Sequence, residues 1–165
     1  MAVILKRKNI GETDKLVTVF SRQQGKKTVI ARGIRKLYSK KAPHLELFSH
    51  ANLHIHKGRN LDLVIEAQTT EVFRNLKSRL GRVAYAYKIV EVVDRLCALD
   101  EAHPIIYDKL LAILKLLDSL QSNSVAGAVD KFNTELLWEL GFLPKGNFIP
   151  AGRLTRFLEG IMERE

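Results

Sequence analysis

The chain has 165 residues, of which 46% are hydrophobic and 27% are charged, and this composition excludes an intrinsically disordered tail. Residues 1–70 carry the whole net charge of +9, with 14 Lys and Arg against 5 Asp and Glu, whereas residues 71–165 hold 13 of each. A charge concentrated in one half favours a polyanionic partner such as nucleic acid, because neutralising phosphates releases condensed counterions. A solvated basic surface that serves only solubility is the simpler alternative.

The apolar runs of the sequence are far shorter than the ~20 residues that a membrane span requires. The apolar residues 1–5 come before Lys6, Arg7 and Lys8, which is the reverse of the order in a secretory signal. A single cysteine, Cys97, excludes an internal disulfide, so we expect a protein of the reducing cytoplasm. Its apolar neighbours predict that Cys97 is a buried small hydrophobe rather than a nucleophile.

The first seventy residues are predicted to form five short strands. Apolar and polar residues alternate strictly between Ser49 and His56, and glycines fall in three of the turns, at Gly11, Gly25 and Gly58. The predicted strands are Ala2–Leu5, Lys15–Ser21, Thr28–Ala31, Ser49–His56 and Leu61–Glu66. Five strands at this spacing predict a small closed Greek-key barrel of the oligonucleotide-binding (OB) type.

After Thr70 the hydrophobic period changes from two to 3.6 residues, which predicts helices. The predicted helices are Phe73–Leu99, Pro104–Leu117, a third from the N-cap Ser124 to Gly141, and a last one that contains Leu154–Met162. Gly81 lies within the first and costs ~1 kcal/mol relative to Ala, which permits a bend there. The fold class is therefore α+β in two parts, with a basic OB-fold domain over residues 1–70, a helical domain over residues 71–165 and a linker at about 141–150.

The densest group of cations lies in the loop over residues 32–41, which follows a strand and turns at Gly33. Its candidate binding residues are Arg32, Arg35, Lys36, Tyr38, Lys40 and Lys41. Cations that track phosphates beside an aromatic face suit a single strand, and one stacked base is worth ~1–3 kcal/mol. Further candidates for the same track are Lys57 and Arg59 in a hairpin, Arg7 and Lys8 after the first strand, and Arg74, Lys77 and Arg82 in the first helix. For such isolated cations a solvated side chain is the simpler interpretation.

Signatures of metal binding and catalysis are weak in this sequence. His54 and His56 share one face of a strand, but no Cys or acidic residue stands nearby at ligand spacing, and structural zinc takes four ligands. The sequence has no GxxxxGK, HExxH, CxxC or GxSxG motif, and the pair Glu12 and Asp14 falls in a turn, where acidic residues are common. We therefore expect a binding protein without a metal or a cofactor, and not an enzyme.

Several segments hold a familiar order and spacing over about residues 3–144. They read VILK at 3–6, GETDKLVT at 11–18, ARGIRK at 31–36, LELF at 45–48, FRNL at 73–76, AYAY at 84–87, DRL at 94–96, ELL at 135–137 and LGF at 140–142. Together these segments resemble the bacterial recombination mediator family RecO.

The resemblance implies a bacterial, nucleoid-associated protein of DNA repair and recombination. Its N-terminal OB fold would bind single- and double-stranded DNA, and its helical domain would contact partner proteins. It would anneal complementary strands and, together with RecR, help to load RecA recombinase onto single-stranded DNA coated by single-strand-binding protein. Many members carry a cysteine-rich zinc module after the position of Pro144. Residues 145–165 contain no cysteine, so we expect a shortened form without the zinc function.

By the same resemblance, the single-strand-binding protein would offer an acidic tail that ends in apolar residues. Such a tail needs an apolar groove with cations at its rim. The only basic residues between positions 83 and 144 are Lys88, Arg95, Lys109, Lys115 and Lys131, so the rim must use these or the edge of the basic half. Two alternatives from other classes stay open: an OB-fold RNA-binding or translation-associated module, and a pure interaction scaffold without nucleic-acid binding.

Overall fold

A computed structural model describes residues 1–119 and 125–164. The first part is a closed barrel whose strands are β1 (Ala2–Ile10), β2 (Asp14–Ser21), β3 (Gly25–Ala31), β4 (His50–His56) and β5 (Asp62–Glu71). Around the barrel the strands follow the order β1-β2-β3-β5-β4. Neighbouring strands are antiparallel except β3 and β5, which pair in parallel. The predicted five-stranded OB-type barrel is confirmed.

Strands β1 and β5 extend beyond the predicted limits. Strand β1 continues from Leu5 through charged residues to Ile10, because its backbone pairs with β2 as far as Asp14. Hydrophobicity alone places the end of the strand where the charged residues begin. Backbone hydrogen bonds do not depend on side-chain polarity, so the pairing carries on through an outward-facing polar stretch.

The helices are α1 (Arg74–Lys77), α2 (Leu80–Leu96), α3 (Pro104–Asp118), α4 (Val125–Glu139) and α5 (Ala151–Met162). Pro104 begins α3 as predicted, and Gly141 follows α4 with a φ of +79°. The predicted cap Ser124 lies outside the described residues. None of the helices over residues 1–119 and 125–164 is long and apolar enough to cross a membrane.

The prediction of one helix over Phe73–Leu99 is wrong, because the structure has two helices, α1 and α2, over this range. The helix breaks before Gly81, where Arg79 adopts an extended backbone. The preceding turn is held by a tertiary contact, in which the Leu76 N–H donates to the Asp118 carboxylate over 2.9 Å. A periodic pattern cannot reveal such a break, because Leu76 stays on the apolar face in either arrangement.

Two hydrophobic clusters form the core. The barrel interior holds Ala2, Ile4, Val17, Val19, Val29, Ala31, Ile34, Leu45 and Val64. The second cluster joins buried residues of the helices to four from the barrel part: Val3, Leu5, Phe20 and Phe48. The apolar packing therefore continues from the barrel into the helices, and the division into two domains at residue 70 stays a prediction. Cys97 belongs to the second cluster, and burial raises the pKa of its thiol to about 12.

His50 departs from the alternation of its strand. Asn52, His54 and His56 are exposed, as expected for the polar face of β4, whereas His50 is buried. Its ring nitrogens lie 2.7 Å from the Tyr107 hydroxyl and 2.9 Å from the Thr70 hydroxyl. Burial lowers the pKa of His50 and favours the neutral imidazole. This contact ties β4 to α3.

Candidate nucleic-acid interface

The basic loop, residues 32–41, is fastened to the turn between β1 and β2. The Gly33 N–H donates to the Asp14 carboxylate over 2.8 Å, and the Arg35 N–H donates to the Thr13 carbonyl over 2.9 Å. Gly33 has a φ of +64°, a conformation that suits glycine. The hydrogen bond from Gly33, helped by the Thr13 hydroxyl and nearby cations, lowers the pKa of Asp14 and keeps its carboxylate ionised. Asp14 therefore positions the basic loop. This role was not predicted from the sequence, in which Asp14 falls in a turn, where acidic residues are common.

The loop forms one wall of an open groove of about 700 Å³. Strands β4 and β5 form the other wall. The loop residues that line the groove are Arg32, Gly33, Lys36, Tyr38, Ser39, Lys40 and Lys41, and the strand residues are Asn52, His54, Ile65, Glu66, Ala67 and Gln68. Lys41 reaches across and donates to the Val64 carbonyl over 3.1 Å. Five of the predicted binding residues thus meet in one groove.

The outermost part of the basic loop carries two exposed apolar side chains. Tyr38 is 80% exposed, and Leu37 is exposed over its whole side chain. The Lys36 ammonium lies 5.9 Å from the centre of the Tyr38 ring, which is within the range of a cation–π contact. An exposed ring with a cation beside it is suited to stack a base whose phosphate the cation neutralises.

The other predicted residues lie outside this groove. Lys57 and Arg59 are exposed in the turn between β4 and β5, and Lys8 is exposed on β1. Arg7 is half-buried and donates to the Leu45 carbonyl over 3.3 Å. Arg35 belongs to the basic loop but extends toward the Gly11 carbonyl, 3.5 Å away.

A second cationic surface, which we call the barrel-end strip, consists of Arg7, Lys15 and Arg35; Glu46 lies beside it and pairs with Lys77 over 3.5 Å. Lys15 was not predicted as a site residue. Lys15 precedes the inward-facing Val17 by two residues on β2, so the two side chains lie on the same face of the strand. The Lys15 side chain therefore lies at the end of the barrel. Burial, together with the nearby Arg7 and Arg35, lowers the pKa of Lys15. The inward phase of Lys15 in the strand pattern was the available signal for this position.

The three helix cations proposed to extend the track have different surroundings. Arg74 is exposed, and Lys77 donates to the Ser49 hydroxyl over 2.8 Å and to the Glu46 carboxylate over 3.5 Å. The interpretation of Arg82 as part of the track is wrong. Its guanidinium is buried and donates to the carbonyls of Leu117 and Ser119, over 2.8 and 2.6 Å. Arg82 thus satisfies carbonyls at the carboxyl end of α3, where a cation also complements the helix dipole.

Most other lysines of the chain form ion pairs with carboxylates, whereas the candidate cations, among the described residues, do not. Lys26, Lys27, Lys109 and Lys115 each lie within 4 Å of a carboxylate. Within the described parts of the chain, none of the nine predicted binding cations forms such a pair: Arg7, Lys8, Arg32, Arg35, Lys36, Lys40, Lys41, Lys57 and Arg59. Their charges are available to an external anion.

His54 and His56 have no metal-binding surroundings among the described residues. Both His54 and His56 are exposed, and His54 lines the groove. Across residues 1–119 and 125–164, no three His, Cys, Asp or Glu side chains come together as a metal site would require. That the protein needs no metal stays a prediction.

Comparison with known proteins gives matches to both parts of the chain. A family model described as recombination protein O N terminal matches residues 1–73, and one described as recombination protein O C terminal matches residues 77–148. The chain is 36% identical over 148 residues to the DNA repair protein RecO of Roseiflexus sp. (strain RS-1), which covers 87% of this chain and 50% of that protein. It is 32% identical over 144 residues to the DNA repair protein RecO of Heliobacterium modesticaldum, with coverages of 87% and 51%. The chain thus spans about half the length of the curated relatives it matches.

The contact of Asp14 with Gly33 makes a testable prediction about the loop. Asp14→Asn removes the negative charge but keeps a side-chain oxygen that can accept the Gly33 N–H, whereas Asp14→Ala removes both. We expect Asp14→Asn to bind single-stranded oligonucleotide at least as tightly as the natural protein, because a repelling charge is gone. We expect Asp14→Ala to bind at least about threefold more weakly than Asp14→Asn, because the loop loses its anchor.

The measurement is fluorescence anisotropy with a labelled oligonucleotide, accompanied by amide hydrogen exchange of residues 32–41. Exchange in the loop should be faster in Asp14→Ala than in Asp14→Asn. Equal affinities and equal exchange in the two variants would show that Asp14 does not position the loop.

Proposed function

The chain belongs to the RecO family of DNA repair and recombination proteins, and from this premise we propose that its basic loop binds single- and double-stranded DNA. One observation carries the proposal: the predicted cations of residues 1–70 have no carboxylate partner, and five of the predicted binding residues meet in one open groove. Cations without partners bind phosphates at little cost, because no internal ion pair must break. Tyr38 would stack a base without reading its identity.

We further propose that the protein anneals complementary strands without catalysis. Two single strands repel each other through their phosphates, and a surface with a net charge of +9 lowers that repulsion. Contacts to phosphates and base faces leave the base edges free to pair. The step needs no nucleotide, and the sequence has no GxxxxGK loop that would hold one. Its rate should therefore depend on salt and not on ATP.

We also propose that the protein, together with RecR, helps to load RecA onto single-stranded DNA coated by single-strand-binding protein. We infer a place for the acidic tail of the coating protein in a groove of about 390 Å³ between β1 and α2. Its apolar residues are Leu5, Leu47, Tyr87 and Val90, and its cations are Lys6, Arg7 and Arg95. Glu91 and Asp94 also line it. Asp94 lies 3.4 Å from Lys6 and 3.7 Å from Lys26, so Lys6 is already paired, and the groove cations outside the ion pairs of the described residues are Arg7 and Arg95.

The other cations between positions 83 and 144 support this choice by their own contacts. Lys109 and Lys131 lie 2.7 and 4.0 Å from Glu135, and Lys115 lies 2.9 Å from Glu71. Carboxylates of the protein already neutralise these three side chains, so an acidic tail would gain less from them. Arg95 is exposed at the groove, whereas Lys88 is exposed on α2 outside it.

Binding to DNA is tested by changing four loop cations together. The variant Arg35→Ala, Lys36→Ala, Lys40→Ala, Lys41→Ala should bind a single-stranded oligonucleotide more weakly. Its plot of log affinity against log salt should flatten by about 0.7 for each phosphate that the loop no longer neutralises. The control changes four exposed cations outside residues 1–70 to Ala: Lys88, Lys131, Lys145 and Arg156. Both variants have the same net charge, so only a local role of the loop separates them.

Equal slopes in the two variants would show that the loop is only a solvated surface.

The same titration with RNA addresses the alternative of an RNA-binding module. A surface that tracks phosphates should bind DNA and RNA of one sequence with similar affinity, whereas a protein that reads the 2′-hydroxyl prefers RNA.

Annealing is tested with complementary oligonucleotides in EDTA and without ATP. The protein should accelerate duplex formation at low salt, and the acceleration should disappear as salt is raised, because counterions then compete for the phosphates. The loop variant should lose the acceleration while the control variant keeps it. Acceleration that requires nucleotide and Mg²⁺ would contradict the proposed mechanism.

The tail groove is tested with a matched pair of charge reversals on α2. Arg95→Glu should weaken binding of an acidic peptide with an apolar end by at least about tenfold, because a rim cation becomes an anion. Lys88→Glu, on the same helix but outside the groove, should leave the affinity unchanged. If both reversals have the same effect, the tail does not bind in this groove.

A further inference from the structure

The basic loop separates two cationic surfaces that differ in their residues and in their neighbours. On one side lies the groove, with Arg32, Lys36 and Lys40. On the other side lies the barrel-end strip, where Arg35 approaches the Gly11 carbonyl and lies near Lys15 and Arg7. The loop is therefore a ridge, and each of its sides can neutralise the phosphates of one strand.

Leu37 stands at the top of this ridge. Its side chain is the most exposed large hydrophobic one in the described chain, with a relative exposure of 106%, and it belongs to neither core cluster. Burial of such a side chain against an apolar surface is favourable, and here the fold provides none. The faces of base pairs are apolar, and proteins that unstack DNA insert leucine and similar residues against them.

The ridge is held in place from both ends. Gly33 and Arg35 are bonded to Asp14 and Thr13, and Lys41 is bonded to the Val64 carbonyl. Two backbone hydrogen bonds close turns within the loop, from the Lys36 N–H to the Gly33 carbonyl and from the Ser39 N–H to the Lys36 carbonyl. A loop fixed in this way keeps Leu37 exposed, so little ordering is needed when it meets DNA.

We propose that the basic loop is a wedge for the junction between single- and double-stranded DNA, with Leu37 packed against the last base pair and the two unpaired strands on the two cationic sides. This inference rests on the proposed DNA binding and adds the form of DNA that the site prefers. During annealing, the wedge would stay at the last base pair and hold the two unpaired strands on its two sides as base pairing proceeds. The junction is favoured over a plain single strand because a single strand occupies only one of the two sides.

The first experiment compares a forked duplex with a single strand of the same length and with a blunt duplex. The natural protein should bind the fork at least about tenfold more tightly than either. Leu37→Ser should reduce this preference to within about twofold and leave the affinity for the single strand unchanged, while Leu37→Met should retain it. A 2-aminopurine base at the last pair of the fork should change fluorescence with the natural protein and not with Leu37→Ser.

The second experiment separates the two sides of the ridge. Lys15→Gln with Arg35→Gln should weaken binding of the fork by a larger factor than binding of the single strand, and Arg35→Gln alone, at an exposed position, should show the same direction. Arg32→Gln with Lys36→Gln should weaken binding of both. Absence of any preference for the fork, or a preference that survives Leu37→Ser, overturns the wedge. Absence of all single-strand binding by the natural protein overturns the proposed function itself, so the two failures are distinguishable.

Discussion

The first residues of strand β1 are buried on both faces of the strand. This double burial joins the barrel to the helices. Ile4 points into the barrel, whereas Val3 and Leu5 pack in the cluster that contains the helices. Each fully buried side chain of this kind contributes about 1.5–3 kcal/mol. Removing the helices would expose one face of β1, and opening the barrel would expose the other. The two parts of the chain therefore stabilise each other through this strand, together with Phe20 of β2 and Phe48.

This arrangement decides which surface of the barrel remains open. Helix α2 packs against β1, and α3 packs against β2 and reaches His50 on β4. Beyond His50, the outer positions of β4 stay exposed, and the basic loop closes a groove over them. The cations on the helix side, such as Arg22 and Lys26, are paired with Asp108 and Asp94 of the helical half. Their charge is used inside the molecule, whereas the five cations of the basic loop form no ion pair among the described residues.

The basic loop combines a fixed backbone with exposed side chains. Its anchors are backbone and carboxylate groups near Asp14, and they leave Lys36, Leu37 and Tyr38 exposed. A fixed loop loses little conformational freedom on binding, which offsets part of the entropic cost of association. The Asp14 carboxylate does not neutralise the loop, because it accepts a backbone N–H and the loop itself carries five cations, and the groove adds one further carboxylate, that of Glu66.

The sequence by itself determined the five-stranded barrel, the helical half and the cations of the basic loop, because alternation, helical period and charge clustering are local properties. It also indicated that Cys97 is buried. Tertiary structure alone decided the break before α2, the burial of His50 and the use of Arg82 as a cap for α3. Each depends on a contact between residues far apart in the chain, such as Leu76 with Asp118, 42 positions away. The sorting of the cations between the groove and the barrel-end strip is of the same kind, since Lys15 comes near Arg35 only through the pairing of β2 with β3, in which Lys15 lies opposite Ala31.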